Sequence, residues 1–260
     1  MSRRRVVVTG LGALAPNGND LYSFWDALVN GRSGIGPITK FDASGHRARI
    51  AGEIKDFDPE SALDRKDLRR NDPFTHYAMY VGLQGVADAG LDMEAVDAER
   101  VGVIWGSGIG GITTHEKQHT ILMEKGPKRI SPFYVPMMIS DMAAGMISMV
   151  LGAKGPNYAT VSACSSASHA LGEAARKIQY DEADVMVTGG SEAAVTSISV
   201  AGFASAKALS TRNDEPARAG RPFGAERDGF VLGEGAGGIV LEELEHAKRR
   251  WAVIYGEFLG

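Results

Sequence analysis

Residues 155–180, GPNYATVSACSSASHALGEAARKIQY, change hydrophobic period in mid-course, and that change constrains the fold more than any other feature of the chain. Residues 158–162 (YATVS) are rich in strand formers. From Ala167 the apolar positions fall at Ala167, Ala170, Leu171, Ala174, Ala175 and Ile178, the spacing of one helix face. A strand must therefore pass into a helix within a few residues, and Cys164, the only cysteine of 260 residues, sits at that elbow. Ser165 and Ser166 suit a helix start, because their hydroxyls can satisfy orphan amides of the first turn. A thiol placed there faces the positive end of the helix dipole, which favours thiolate, the nucleophilic form. A lone cysteine more often fills a core. The elbow and its small neighbours Ser162, Ala163, Ser165 and Ser166 weigh instead towards a thiol exposed for attack, as the serine is in the hydrolase elbow.

The rest of the composition narrows the function classes. With 44% apolar and 23% charged residues the chain can bury a substantial core. A net charge of -4 argues against a nucleic-acid partner, which needs a basic footprint. One cysteine forms no internal disulfide, which fits a reducing, cytoplasmic setting. The N-terminus, MSRRRVVVTG, has a basic start but no sustained apolar core, and no run approaches the roughly 20 residues that span a bilayer. No membrane association is expected.

Taken in order, residues 5–9 (RVVVT) read as a buried strand closed by a turn at Gly10 and Gly12. GLGALA, residues 10–15, matches a dinucleotide fingerprint, but Pro16 interrupts the helix that would follow and no acidic residue ends a second strand. Residues 21–30 predict a short helix. Residues 32–72 read as an irregular surface excursion that ends in the basic cluster Arg65, Lys66, Arg69 and Arg70. A helix is expected over 73–89 and a strand over 101–105, running into GSGIGG (106–111), whose glycines allow close approach of a ligand or backbone. Met137, Met138, Met142, Met146 and Met149 stripe a single helix predicted over 136–151, either as core or subunit interface or as the pliable wall of an apolar tunnel. Strands are expected at 184–188, ending in Gly189 and Gly190, and at 239–242 and 253–258. Strands alternating with helices indicate an α/β fold around a buried sheet.

The segments RVVVTGLGALAPNG, GSGIGG, KRISPFYVPMM, GPNYATVSACSSASHALGEAARKI, ADVMVTGGSEA, ALSTRND and RPFGAERDGFVLGEGAGGIVLEE together resemble the elongating, type II β-ketoacyl-acyl carrier protein synthases. The resemblance covers essentially the whole chain. It implies a thiolase-like fold, in which two similar α/β halves form a five-layered α-β-α-β-α core, with residues 1–260 as the N-terminal half, and a homodimer. It makes Cys164 the nucleophile that takes an acyl chain from the phosphopantetheine of acyl carrier protein, before decarboxylation of malonyl-carrier protein supplies the carbanion that attacks the thioester. Neither a metal nor a nicotinamide is required. The Cys164 amide would stabilise the oxyanion. By the same resemblance Ile109 and Phe203 line the acyl pocket, and Phe133 reaches it across the dimer. Lys66, Arg69, Arg70, Lys128, Arg129 and Lys207 form the basic surface that meets the acidic carrier protein.

The sequence also departs from the family pattern. The resemblance calls for a histidine in an HGT motif, another in a GH motif, a lysine between them and a late glycine-rich loop, and none occurs here. The six histidines are His46, His76, His115, His119, His169 and His246. His169 shares a helix face with Glu173 and Arg176, opposite the apolar stripe, and is expected at the surface. The chain thus reads as the N-terminal part of a longer enzyme, needing a C-terminal half or a complementary chain, and is not expected to condense by itself. A non-catalytic partner subunit of a polyketide-type heterodimer is the alternative, and Cys164 argues against it.

Overall fold

The β-branched runs of the sequence become neighbours in one twisted sheet. The computed structural model describes residues 3–260. In chain order the elements begin with β1 (Val6–Leu14), α1 (Leu21–Val29), β2 (Gly36–Pro37), β3 (Ile50–Ala51), α2 (Arg65–Arg70), α3 (Pro73–Asp88), β4 (Val101–Gly106) and α4 (Ile112–Lys125). They continue with α5 (Tyr134–Met138), α6 (Met142–Leu151), β5 (Asn157–Thr160), α7 (Ser166–Gln179), β6 (Val185–Glu192), α8 (Ser197–Ser205), β7 (Gly235–Glu243), α9 (Leu244–Arg249) and β8 (Gly256–Glu257). Six strands share one sheet in the order β5-β4-β6-β7-β1-β8. Strands β5, β4 and β6 run parallel, and β7 is antiparallel to both β6 and β1.

Alternating side chains of each strand leave on opposite faces, and here both faces are covered. Val101, Val103 and Trp105 of β4, with Val185 and Val187 of β6 and Val240 of β7, meet Phe74, Ala78 and Val81 of α3 and Ile147 of α6. Ile104, Met186 and Leu241 face the other way, onto Ala170, Ala174, Ala175 and Ile178 of α7. The result is three layers, α-β-α. A fully buried large apolar side chain contributes about 1.5–3 kcal/mol, so the α3 layer, with Phe74, Met79 and Trp105 completely enclosed, carries more of the stability. The alanines of α7 contribute closeness instead, letting the helix lie tight on the strands.

Several sequence expectations are corrected by this packing. Gly10 and Gly12 do not end the first strand; β1 runs on to Leu14 with a bulge between Val8 and Gly10. A Cβ on Gly10 would lie 2.1 Å from the Gly85 carbonyl and one on Gly12 2.4 Å from that of Val81, so these glycines admit α3, not a phosphate. The dinucleotide match therefore falls inside a strand. β6 likewise passes through Gly189 and Gly190, and β7 begins four residues before its expected start. The strand expected over 253–258 shrinks to Gly256–Glu257. Residues 32–72 are not merely a surface excursion: Ala48 and Ala51 pack with Val195, Val200, Leu209 and Leu232 in a small second core, and α2 closes the segment. The methionine-rich helix is two helices, α5 and α6, broken at 139–141, where the Met138 carbonyl accepts the Gly111 N–H at 3.0 Å. Met146 is buried, but Met149 is exposed. Among the described residues no helix is long and apolar enough to cross a membrane.

Asp72 joins two helix starts. It caps α3, accepting from the Phe74 N–H, while its second oxygen accepts the Thr114 N–H in the first turn of α4 at 2.7 Å. Burial pushes this carboxyl up from 3.8 to about 6, against the opposing pull of those donors. Between these values the folded chain holds a proton that the unfolded chain has released, so Asp72 adds stability as the pH falls through 6 and withdraws it as the pH rises. Urea denaturation of the wild type and Asp72→Asn at pH 6.5 and 4.5 should show the difference in stability between them growing in favour of the wild type by about 2 kcal/mol at the lower pH. A difference independent of pH contradicts this assignment.

Candidate active site

The elbow around Cys164 rests on two glycines. A Cβ on Gly106, the last residue of β4, would lie 2.4 Å from the Ser166 carbonyl carbon, and one on Gly190 of β6 would lie 2.6 Å from the Ala167 Cβ. Only bare backbone at both places lets the first turn of α7 sit on the carboxyl ends of these strands. Hydrogen bonds then lock the turn. Thr160 Oγ1 donates to the Ser166 carbonyl at 2.8 Å, Ser166 Oγ donates to the Ala163 carbonyl at 2.7 Å, and the Ser162 N–H donates to Ser166 Oγ at 2.9 Å. Ser165, expected to cap the helix, makes no side-chain cap bond; Ser166 ties the turn instead. Ala163 has φ +52, a left-handed conformation that costs a residue with a Cβ about 1 kcal/mol or more. The strain turns the chain sharply just before the cysteine.

Cys164 is left as a free, exposed thiol. The amides of Ser165 and Ser166 donate to the carbonyls of Ser162 and Ala163, each at 3.1 Å, whereas the Cys164 amide has no backbone acceptor among the described residues. A tetrahedral oxyanion formed on an acyl group at Sγ needs such an uncommitted donor. His169, one turn further along α7, is exposed as expected, with Nδ1 2.5 Å from Ser162 Oγ.

The thiol opens onto a cavity of about 660 Å³, within the usual range of small-molecule sites. Its walls include Ile109, Phe203, Phe230 and Leu232, with Phe203 and Phe230 edge to face at 5.4 Å. Glu192, at the end of β6, also lines it, accepting from Ser107 Oγ at 3.1 Å, from the Gly108 N–H at 2.7 Å and from the Ile109 N–H at 3.2 Å. Burial pushes the Glu192 carboxyl up, and these donors pull it back. Glu234, next in the chain to the Gly235 that pairs with Glu192 across β6 and β7, also lines the cavity, paired with Lys40 Nζ at 2.6 Å and accepting the Ile54 N–H at 2.9 Å. None of the six histidines and none of the five striped methionines lines the cavity. Among the described residues no cluster of His, Cys, Asp and Glu could hold a metal ion.

The structure thus brings Cys164, Ile109 and Phe203 together. Phe133 does not line this chain's cavity; it precedes α5, partly exposed, with the Arg70 guanidinium 4.9 Å above its ring. That contact brings α2, with Lys66 and Arg69, against the segment that carries Lys128 and Arg129, and all four side chains are exposed. Lys207 follows α8 with φ +57, and among the described residues no side-chain hydrogen bond or ion pair joins it to that group. Sequence reasoning missed Phe230, Glu192 and Glu234. GSEA and GEGAGG marked their neighbourhoods, but no sequence period tells which side chain at a strand end turns inward.

Comparison with known proteins gives the chain's family and fold. The family described as "Beta-ketoacyl synthase, N-terminal domain" matches residues 3–247. The chain is 54% identical over 260 residues to the 3-oxoacyl-[acyl-carrier-protein] synthase 2 of Synechocystis sp. and 50% identical to that of Coxiella burnetii, covering all of this chain and 62% and 63% of theirs. It therefore spans less than two thirds of the length of these relatives. Among solved structures, a β-ketoacyl synthase from Burkholderia phymatum superposes with a TM-score of 0.89 at 33% identity, over 99% of this chain and 63% of that one. The ishigamide ketosynthase/chain length factor gives 0.91 at 30%, with the same coverage. A type II polyketide ketosynthase described in complex with its acyl-carrier protein gives 0.81 at 26%, over 99% of this chain and 68% of that one. The fold is of the thiolase-like ketosynthase kind. The chain belongs to the β-ketoacyl synthase family, with its curated relatives named 3-oxoacyl-[acyl-carrier-protein] synthase 2.

The seat of α7 is testable. Gly106→Ala would force a methyl group into the Ser166 backbone, and the expected cost is about 2 kcal/mol. Guanidinium denaturation should show it, together with a slower reaction of Cys164 with iodoacetamide in the folded variant. Wild-type stability and reactivity would show that the first turn of α7 does not depend on this approach.

Proposed function

We propose that this chain carries the acyl-accepting part of a 3-oxoacyl-acyl carrier protein synthase acting in fatty-acid elongation. The observation that carries the reading is the exposed Cys164, raised on a strained elbow at the mouth of a cavity walled by Ile109, Phe203 and Phe230. The Cys164 thiolate attacks the carbonyl carbon of an acyl chain held as a thioester on the phosphopantetheine of acyl carrier protein. The Cys164 N–H bonds the resulting oxyanion. Collapse breaks the carbon–sulfur bond to pantetheine, whose thiolate leaves and takes a proton, and the acyl group remains on Sγ. Splitting the two-substrate reaction at this covalent intermediate is what a thiol nucleophile contributes. Malonyl-carrier protein then loses carbon dioxide, and its carbanion attacks the Cys164 thioester carbonyl; the carbon–sulfur bond to Sγ breaks, the Cys164 thiolate leaves, and the 3-oxoacyl group stays on the carrier protein.

With no histidine at the cavity, we assign the decarboxylation step to the part of the family's length that this chain does not span. The substrates are carried covalently on acyl carrier protein, and the reading invokes no metal or redox cofactor. Lys66, Arg69, Arg70, Lys128 and Arg129 meet the acidic carrier on one face, Lys207 on the rim beside α8. Rim charges of this kind set the encounter rate more than the affinity. The working form is a cytoplasmic homodimer, in which Phe133 serves the partner's site.

A carrier protein loaded with a saturated acyl chain, mixed with the 260-residue chain, should release one equivalent of free pantetheine thiol per chain, and none with Cys164→Ala. Arg70→Glu should slow the release about tenfold at low salt, the gap closing as salt screens the encounter. No thiol release from a wild-type chain whose Cys164 reacts readily with iodoacetamide would sink the reading.

A further inference from the structure

Glu192 is a carboxylate spent on a loop. Both of its oxygens accept: Oε1 from Ser107 Oγ at 3.1 Å and the Ile109 N–H at 3.3 Å, and Oε2 from the Gly108 N–H at 2.7 Å and the Ile109 N–H at 3.2 Å. Ser107 Oγ in turn accepts the Gly110 N–H at 3.1 Å. Four successive residues of GSGIGG are thus tied, directly or through one hydroxyl, to a single side chain. The loop is held from its other side as well. The Gly111 N–H donates to the Met138 carbonyl at 3.0 Å, and a Cβ on Gly111 would lie 2.0 Å from the Met137 carbonyl oxygen. Gly108 also touches the elbow, its absent Cβ falling 2.8 Å from Glu192 Oε2 and 3.3 Å from the Ala163 carbonyl. The loop that presents Ile109 to the cavity is therefore clamped between Glu192, the α5–α6 break and the residue before Cys164.

Resting on the acyl-enzyme reading above, we infer that Glu192 is a positioning residue that sets which acyl chain lengths Cys164 accepts. It acts through Ile109. A short acyl group needs little beyond the thiol and the oxyanion donor, whereas a long one must run past the Ile109 wall. An acceptor-only group is required because every partner is a donor, and hydrogen bonds to a charged acceptor are the stronger kind. Glutamine matches glutamate in volume, but its NH2 group would face backbone N–H groups already there.

The test joins two readouts on the 260-residue chain: hydrogen exchange of the 106–111 amides, and the ratio of Cys164 acylation rates with a dodecanoyl and a butyryl thioester. In Glu192→Gln, exchange at Gly108 and Ile109 should accelerate about tenfold and the dodecanoyl-to-butyryl ratio should fall about tenfold. Glu192→Asp keeps the acceptor and should lie nearer the wild type in both, whereas a space-filling role predicts the reverse order. Ser107→Ala removes one donor and should move both readouts the same way by about threefold, which decides the matter if Glu192→Gln does not fold. Wild-type exchange and ratio in folded Glu192→Gln overturn the inference, and faster exchange with an unchanged ratio overturns the length claim. A wild-type chain acylated by neither thioester overturns the acyl-enzyme reading, and the length claim falls with it.

Discussion

The site depends on one close approach. Without side chains at Gly106 and Gly190, the first turn of α7 lies against the ends of β4 and β6, and the chain between β5 and α7 has so little room that Ala163 takes a left-handed conformation. The small residues on the inner face of α7 follow from the same constraint. Ala170, Ala174 and Ala175 bury little area but keep the helix axis near the sheet, while Phe74, Met79 and Trp105 on the far side hold the sheet itself in place. Stability and site geometry are thus carried by opposite faces of one sheet.

Much of this was legible in the sequence because it is written in a change of period. The switch from YATVS to the spacing Ala170, Ala174, Ile178 locates the elbow and puts Cys164 on it, and the structure agrees within a residue or two. The misread glycines share one physical cause. At Gly10, Gly12, Gly189 and Gly190 the sequence suggests turns, but the strands continue, because what each glycine accommodates is a neighbouring backbone or helix that only the folded chain supplies. The break between α5 and α6 was hidden for a similar reason. It is fixed by the Met138 carbonyl's bond to Gly111, 27 positions earlier in the chain, and no local pattern encodes that distance.

The residues named by family resemblance take different places in the fold. Ile109 and Phe203 reach the cavity with Cys164, and Phe133, which the resemblance gives to a partner's site, lies outside this chain's own cavity beneath Arg70. Glu192 and Glu234 escaped notice because a charged residue at a strand end ordinarily faces water. Here each is satisfied by donors that converge only after folding, backbone amides of the glycine loop for Glu192 and Lys40 with the Ile54 amide for Glu234. The polar framework of the cavity is thus a tertiary property, although the apolar wall and the nucleophile can be read locally.

The central claim is that the elbow presents Cys164 as a nucleophile and does not merely accommodate it as packing. The most direct measurement is the second-order rate of iodoacetamide alkylation of Cys164 at neutral pH in the native chain, compared with the same chain unfolded in urea. The account predicts that the native thiol reacts faster, by about tenfold. A native rate equal to or below that of the unfolded chain, the behaviour of a cysteine that only fills space, would contradict it.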